Sequence, residues 1–485
     1  MPTPTQTRLP SNQTRYSSLW LVATFLLLAL SPKAQATLPI QHWVQPSGAR
    51  IYLVESPAIP ILDAQIDFDA GTRRDVPGKP SLASLTAGLM DKGIEVRDPR
   101  RGVSGAVARY DGAMDENQLG EAWADLAAQF SASAGDDRMS FSLRTLTEPD
   151  LLARSVALAA RQIGESSFPA TVWERERARL VAALRESYTR PATAARRAWL
   201  PAVYGGHPYG WEATESSLAS VTVDDMRAFH ARHVQACRAK VTLVGAISRS
   251  QADQIATALL ARLAAPAGRR CDPLPPVPEV APLAAPVIRH VPFDSAQAHV
   301  LIGQPGFKRN DPDYFALLVG NYILGGGGFV SRLSNEVREK RGLSYSVYSY
   351  FSPGLHAGAF TLGLQTRPDQ AQQAVQVARE VVSRFVADGP TETELQAARD
   401  NLIGGFALRI DSNRKLLDNV ASIAWNDLPL NYLDTWTQKV QAVTVADIRA
   451  AFARTLQPQR MVTVIVGGAS VSTPSTPPTP SATGR

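Results

Sequence analysis

Two stretches of this chain are copies of one another. Residues 221–245 read VTVDDMRAFHARHVQACRAKVTLVG and residues 443–467 read VTVADIRAAFARTLQPQRMVTVIVG. They align without a gap at an offset of 222 residues. Each copy opens on a threonine suited to a helix N-cap (Thr222, Thr444) and carries an acid in the first turn. Each continues as an amphipathic helix and ends in a β-branched strand closed by glycine. A unit of helix plus strand that recurs so far along a chain predicts two similar domains, so one fold is built twice.

The length allows it. The chain has 485 residues, 45% of them hydrophobic and 19% charged, a globular balance with room for two or three domains. Between the copies, residues 263–286 are rich in proline and alanine and read as an extended linker. Residues 469–485 are rich in serine, threonine and proline and read as a disordered tail. This leaves domains over 37–262 and 287–468.

In the first half, strands are expected at 49–54 and 62–70, with helices at 81–92, 147–162 and 172–188. The second half predicts strands at 296–303 and 357–365. Its helices fall at 313–324, 368–388 and 392–411. Long helices between strands indicate α+β domains, each a mainly antiparallel sheet with helices packed on one face.

The first 36 residues look like a secretory signal. Arg8 and Arg15 precede the apolar run 19–30, and Ala34 and Ala36 frame an A-x-A cleavage site. Twelve apolar residues are short for a membrane span, so the expectation is cleavage near Ala36 and a periplasmic or secreted protein without stable membrane insertion. An uncleaved anchor is the alternative. The net charge of +6 is spread along the chain, with no basic run interleaved with aromatics, which argues against nucleic acid as a partner. Cys237 and Cys271 are the two cysteines; in an oxidising compartment they form a disulfide or remain two free thiols.

The stretch 325–351, GGGGFVSRLSNEVREKRGLSYSVYSYF, concentrates unusual chemistry. Phe329, Leu333 and Val337 recur at helical spacing. Arg338, Lys340 and Arg341 follow at the helix end, then Gly342 at a C-cap position and an alternating strand. Arg338 and Tyr345 meet at that junction, and both are hydrogen-bond donors for a carbonyl or an oxyanion. The four glycines lack a following G-K-[ST], so they are no phosphate loop. They read as a turn where backbone approaches backbone. His230 and His233 stand three apart on a helix, and they read as surface histidines, since a structural zinc site needs four ligands.

Several segments together resemble the pitrilysin and insulin-degrading-enzyme family of zinc peptidases. They are the loop Gly71-Thr-Arg-Arg-Asp75 with the helix after it, the turn His207-Pro-Tyr-Gly210, and SRLSNEVREKRGLSYSV in the second half. The resemblance spans nearly all of 38–468. Such enzymes carry an inverted H-x-x-E-H motif, with two histidines and a glutamate on one helical face. The matching positions here are Ser84, Ala87 and Gly88, and the later glutamate ligand matches Ala183. The resemblance therefore implies no metal and no cofactor on this chain. It also implies that Arg338 and Tyr345, spaced R-x6-Y, reach a peptide carbonyl, with Gly326 and Gly327 near the substrate. In the two-subunit branch of the family, one chain holds zinc and the other supplies this pair. The expected partners are thus a zinc-bearing homologous subunit and a peptide substrate, and the chain is a non-catalytic subunit of a heterodimeric peptidase. The alternatives are an inert structural or peptide-binding scaffold, and a stand-alone enzyme with an unfamiliar site.

Overall fold

The computed structural model describes residues 39–96, 112–263 and 271–468. The expected signal segment, the expected tail and residues 264–270 of the expected linker lie outside the described residues. The first half contributes β1 (Gln41–Val44), β2 (Arg50–Glu55), β3 (Ile61–Phe68), a short ribbon of β4 (Gly93–Ile94) and β5 (Met114–Asp115), then β6 (Gln129–Ala134), β7 (Met139–Leu146) and β8 (Lys240–Gly245). The second half contributes β9 (Val287–Val291), β10 (Ala298–Pro305), β11 (Ser346–Phe351), β12 (Ala359–Thr366) and β13 (Val462–Val466).

One sheet is ordered β1-β2-β8-β3-β7-β6 and the other β11-β12-β10-β13-β9. The two repeat strands hold equivalent places. β8 pairs parallel to β2 and antiparallel to β3, and β13 pairs parallel to β9 and antiparallel to β10. From there β7 and β6 follow β3 as β12 and β11 follow β10. Both repeat helices also start the same way. Thr222 and Thr444 each form a capping box with the aspartate three residues on, Asp225 and Asp447.

On one face of the first sheet, Leu62, Ala64, Ile66 and Phe68 are fully buried in a core shared with Leu82, Leu85, Leu89 and Met90. Those last four come from the expected helix, which runs Leu82–Leu89. Its cap is not the adjacent Ser81, which sits in the left-handed region at φ +74°. Asp75 reaches over and accepts from the backbone N–H of Ser81 (2.6 Å) and of Ala83 (2.8 Å). Burial pushes its carboxyl up to about 7, against the pull of those donors.

The opposite face of each sheet is covered by a helix from the other half. Pro191–Tyr204 packs on β10 and β13, and Asn413–Trp425 packs on β8 and β3. Their starts are separated by the same 222 residues as the repeat. The two exchanged contacts differ in chemistry. Trp199, Leu200 and Val203 join Val462, Val464 and Val466 in an apolar cluster. Trp199 needs Gly303, where an added Cβ would stand 2.8 Å from its ring. On the other sheet the contact is polar. Lys240 Nζ donates to the carbonyls of Ala424 (2.8 Å) and Trp425 (3.0 Å), while Arg138 bridges buried Asp67 (3.0 Å) and the carbonyl of Ala421.

The turn His207-Pro-Tyr-Gly210 joins the halves again. Tyr209 Oη donates to Asp137 Oδ1 at 2.5 Å and accepts from the N–H of His356. Asp137 also takes the Leu355 N–H, and Arg73 lies 3.1 Å from it. Residues 271–286 form no helix or strand and are pinned at points: Glu279 pairs with Lys308 (2.6 Å) and His356 (3.1 Å). Cys237 and Cys271 are bonded to each other, with Cα atoms 5.8 Å apart.

His230 and His233 are not surface residues. Met226, Phe229, His230 and His233 make one buried face of Val223–His233, and His230 Nε2 meets the carbonyl of Ile163 at 2.8 Å. Burial, aided by Arg74, holds His233 down at about 4. Their i, i+3, i+4, i+7 spacing with two apolar residues was the available signal for burial.

Candidate functional site

The junction of 325–351 is built on wide helical turns. Tyr314–Asn321 is α-helical, but the chain then widens into a π-helical turn over Tyr322–Gly326, where Gly327 N–H bonds the Tyr322 carbonyl at 2.8 Å. A second π-helical segment covers Ser334–Glu339. Such turns are rare and often mark functional positions. Close packing explains the first glycine. A Cβ on Gly325 would come within 2.6 Å of the Ser349 backbone nitrogen and 2.7 Å of Leu333. Asn321 tightens the approach, donating to the Ser349 carbonyl at 3.1 Å and accepting from its hydroxyl at 2.8 Å. In this way the Tyr314–Gly326 segment covers the outer edge of β11 at Ser349. Gly326 is exposed, and side chains there and at Gly327 would crowd Asn321 and Tyr322.

Leu333 and Val337 are fully buried, as their spacing predicts. Phe329 is not their neighbour on that face. Gly328, at φ +64°, turns the chain, and Phe329 is 74% exposed. Gly342 closes the segment at φ +60°, its N–H bonding the Arg338 carbonyl at 2.9 Å and the Leu343 N–H the Val337 carbonyl at 3.0 Å. Tyr345 then precedes β11 instead of joining its buried side, and it is 83% exposed.

The structure brings Arg338 and Tyr345 together. The guanidinium lies 5.4 Å from the Tyr345 ring centroid and 4.5 Å from that of Phe329. Its nearest carboxylate, Glu339, is 3.6 Å away, beyond hydrogen-bond reach. Among the described residues, none takes a hydrogen bond from it. Lys340 and Arg341 are both occupied by Glu336 at 2.7 Å. The segment is anchored by Arg332, which forks onto Glu394 at 2.6 and 2.7 Å. Burial alone would raise the Glu394 carboxyl, but Arg332 and the Thr391 N–H hold it at about 2. Beyond Tyr345, the rings of Tyr348 and Tyr350 stack at 5.9 Å, and Tyr348 lies over Gly363.

Phe329 is the member of this cluster that spacing alone misassigned. The signal that would have placed it was Gly328 immediately before it, a residue that ends a helix more readily than it starts one.

The helix after β3 offers no comparable chemistry. Ser84 is half-buried, with its hydroxyl 3.5 Å from the Ala134 carbonyl. Ala87 is buried, and Gly88 is exposed with no atom within 4 Å of an added Cβ. Ala183 is exposed on the Ala170–Ser187 helix, and Glu186 beyond it pairs with Arg190 at 2.5 Å. These four positions supply no imidazole, thiolate or carboxylate, so they do not fit a zinc ion. Among the described residues, no three His, Cys, Asp or Glu side chains converge in a way that could hold a metal. No helix among them is long and apolar enough to cross a membrane.

Comparison with known proteins points one way. Residues 220–402 match the sequence model of a family described as "Peptidase M16 inactive domain". The chain is 29% identical over 257 residues to an uncharacterized zinc protease of Streptomyces coelicolor, covering 52% of this chain and 55% of that one. It therefore spans little more than half the length of that relative. A non-peptidase homolog of Helicobacter pylori is 34% identical over 160 residues, 32% of this chain and 36% of its own. Among solved structures, the peptidase M16 inactive domain from Pseudomonas fluorescens superposes with a TM-score of 0.81 at 31% identity, over 90% of this chain and all of that one. The periplasmic protease PqqL of Escherichia coli shares the fold, with a TM-score of 0.73 at 18% identity, over 88% of this chain and 45% of its own.

Proposed function

This chain belongs to the peptidase M16 family, in which its match to the inactive domain fits a member without zinc of its own, and from that premise we propose that it is the non-catalytic subunit of a heterodimeric peptidase. A zinc-bearing homologue would supply the metal and the water that attacks the peptide. This chain would supply Arg338 and Tyr345 from across the chamber. The observation that carries the reading is an asymmetry within one chain. The ligand positions of the first half are empty of donors, while the second half holds a half-buried guanidinium beside an exposed phenol.

The roles follow from the chemistry of acyl transfer. As the peptide carbonyl becomes tetrahedral its oxygen gains charge. A guanidinium fork and a phenol O–H aimed at that oxygen stabilise it more in the transition state than in the ground state. Gly326 and Gly327 would lie near the substrate and present backbone to it. The proposed setting is the periplasm or the exterior, after removal of the segment ending near Ala36, with domains over 37–262 and 287–468.

A mixing experiment tests the reading. A homologue from the same organism that retains H-x-x-E-H is assayed for peptide cleavage alone and with this chain. The mixture should be faster. Arg338→Ala should then lower its kcat by about 10²–10³, the usual cost of one oxyanion donor, with Tyr345→Phe lowering it in the same direction. A partner that is equally fast alone ends the subunit proposal, and unchanged kcat in both variants ends the oxyanion role. The second reading is an inert scaffold of the same fold. It is favoured by the similarity to the non-peptidase homolog, and it predicts peptide binding with no gain in cleavage.

A further inference from the structure

Arg338 is held by ring faces, and that leaves its edge without a hydrogen bond among the described residues. Cation–π contacts to Phe329 and Tyr345 fix the guanidinium without using any of its N–H groups. The neighbouring acid pairs loosely with Nε and leaves the two terminal nitrogens open. Glu339 stays at 3.6 Å, and Glu336 is taken by Lys340 and Arg341. The result is a planar fork of donors, restrained in place and beside a phenol hydroxyl that faces solvent. Next to it, Phe329 and Val330 are 74% and 79% exposed and form an apolar shoulder.

A planar donor fork is matched best by a planar, two-oxygen anion. Guanidinium and carboxylate form two parallel charge-assisted hydrogen bonds, and a carboxylate offers one acceptor oxygen more than a peptide carbonyl. We propose that Phe329, Arg338 and Tyr345 form a receptor for the free C-terminal carboxylate of a peptide. Arg338 takes both oxygens, Tyr345 Oη donates to one of them, and exposed Val330 carries the last side chain. Phe329 is a positioning residue in this account, because it acts through the guanidinium it holds. The ligand class is peptides that end at this point, including the fragment left behind when a peptide is cut.

The site needs no zinc and no second subunit, so it stands or falls separately from the heterodimer. The probe is a short, N-acetylated, fluorescently labelled apolar peptide made twice, once as the C-terminal acid and once as the C-terminal amide. Each is titrated against the full chain alone by fluorescence anisotropy. The acid should bind about tenfold tighter or more, the effect of a charge-assisted hydrogen-bond pair. Arg338→Lys keeps the charge but loses the fork, and should abolish most of that preference. Phe329→Ala should weaken binding of the acid by about threefold to tenfold and leave the amide nearly unaffected. Phe329 is exposed and lysine keeps the charge and stem at position 338, so these variants should keep the wild-type thermal unfolding profile. Acid and amide binding alike overturns the proposal. So does an acid preference that survives both substitutions, which would assign it to general surface charge. The mixed-subunit peptidase assay is independent of either outcome.

Discussion

The segments that follow β3 and β10 occupy the same place in the two halves, and they differ in shape and in the side chains they present. Leu82–Leu89 is a short, regular helix with a buried side of leucines and an outer side of small residues, Ser84 and Gly88. Tyr314–Gly326 begins as a helix but widens, turns over on glycines and leads to Phe329, Arg338 and Tyr345. A repeated fold thus separates scaffold from chemistry. The sheet order and the exchanged helices are maintained in both halves, because each sheet needs both faces covered. The residues on the outer side of these segments carry no such constraint. They are free to differ between the two halves.

The strongest way to break this comparison is to refill the bare helix. The triple variant Ser84→His, Gly88→His, Ala183→Glu places two imidazoles one turn apart and adds a carboxylate from the second helix. It leaves buried Ala87 untouched. Gly88 has open space for the larger side chain. The expected result is a change from no bound metal to about one zinc per chain by elemental analysis after dialysis. Absence of zinc in a folded triple variant would mean that this helix does not correspond to the metal-binding helix of its relatives.

On the second half, the glycines are the sharper probe. Gly325→Ala pushes a methyl group against the Ser349 backbone and Leu333, and backbone cannot step aside as a flexible side chain can. The expected cost is about 1–3 kcal/mol, read as a lowered urea midpoint. An unchanged midpoint would show that the loop is not packed against β11.

Glu394 tests the anchoring of the same region through pH. Its carboxyl is held at about 2, well below the usual carboxylate range, by Arg332 and the Thr391 N–H acting against burial. A lowered native value means that the unfolded chain takes up the proton first. The stabilisation is therefore complete above about pH 4.5 and is lost as the pH falls toward 2. Discounting for partial exposure leaves about 1–2 kcal/mol. Glu394→Gln should be less stable by that amount at pH 7, and the gap should close at pH 2 or below. A gap that is the same at both values removes this ion pair from the account.

Much of the fold was legible because the sequence states it twice. The repeat at offset 222 predicts paired domains, and both copies have the capping boxes and the strands that their threonines and β-branched runs suggest. What the pattern could not reveal was exchange between the halves. Nothing local in residues 191–204 tells that Trp199 will lie over Gly303, more than a hundred residues away. The pair Arg338 and Tyr345 was readable from its place between a helix end and a strand. Phe329 was not, because helical spacing assigned it inward while one glycine with positive φ turned it outward. His230 and His233 failed the other way. Histidine suggests a surface, but the apolar residues sharing their face decided burial.

The smallest expected effect brings the comparison down to one methyl group. Gly88 sits inside the Leu82–Leu89 helix with ordinary helical geometry, and nothing lies within 4 Å of a Cβ placed there. Glycine in such a position serves no packing need. It only leaves the unfolded chain more conformational freedom to lose. Gly88→Ala should therefore stabilise the chain by about 0.5–1 kcal/mol, opposite in sign to Gly325→Ala, with peptide binding at the Arg338 cluster unchanged. The two substitutions are chemically identical and fall on corresponding segments of the two halves. If both destabilise, the outer side of the first helix is covered by something, and its small residues are kept for contact with a neighbour. If they differ in sign as expected, the first half holds its glycine without structural need, as a site freed from its chemistry would.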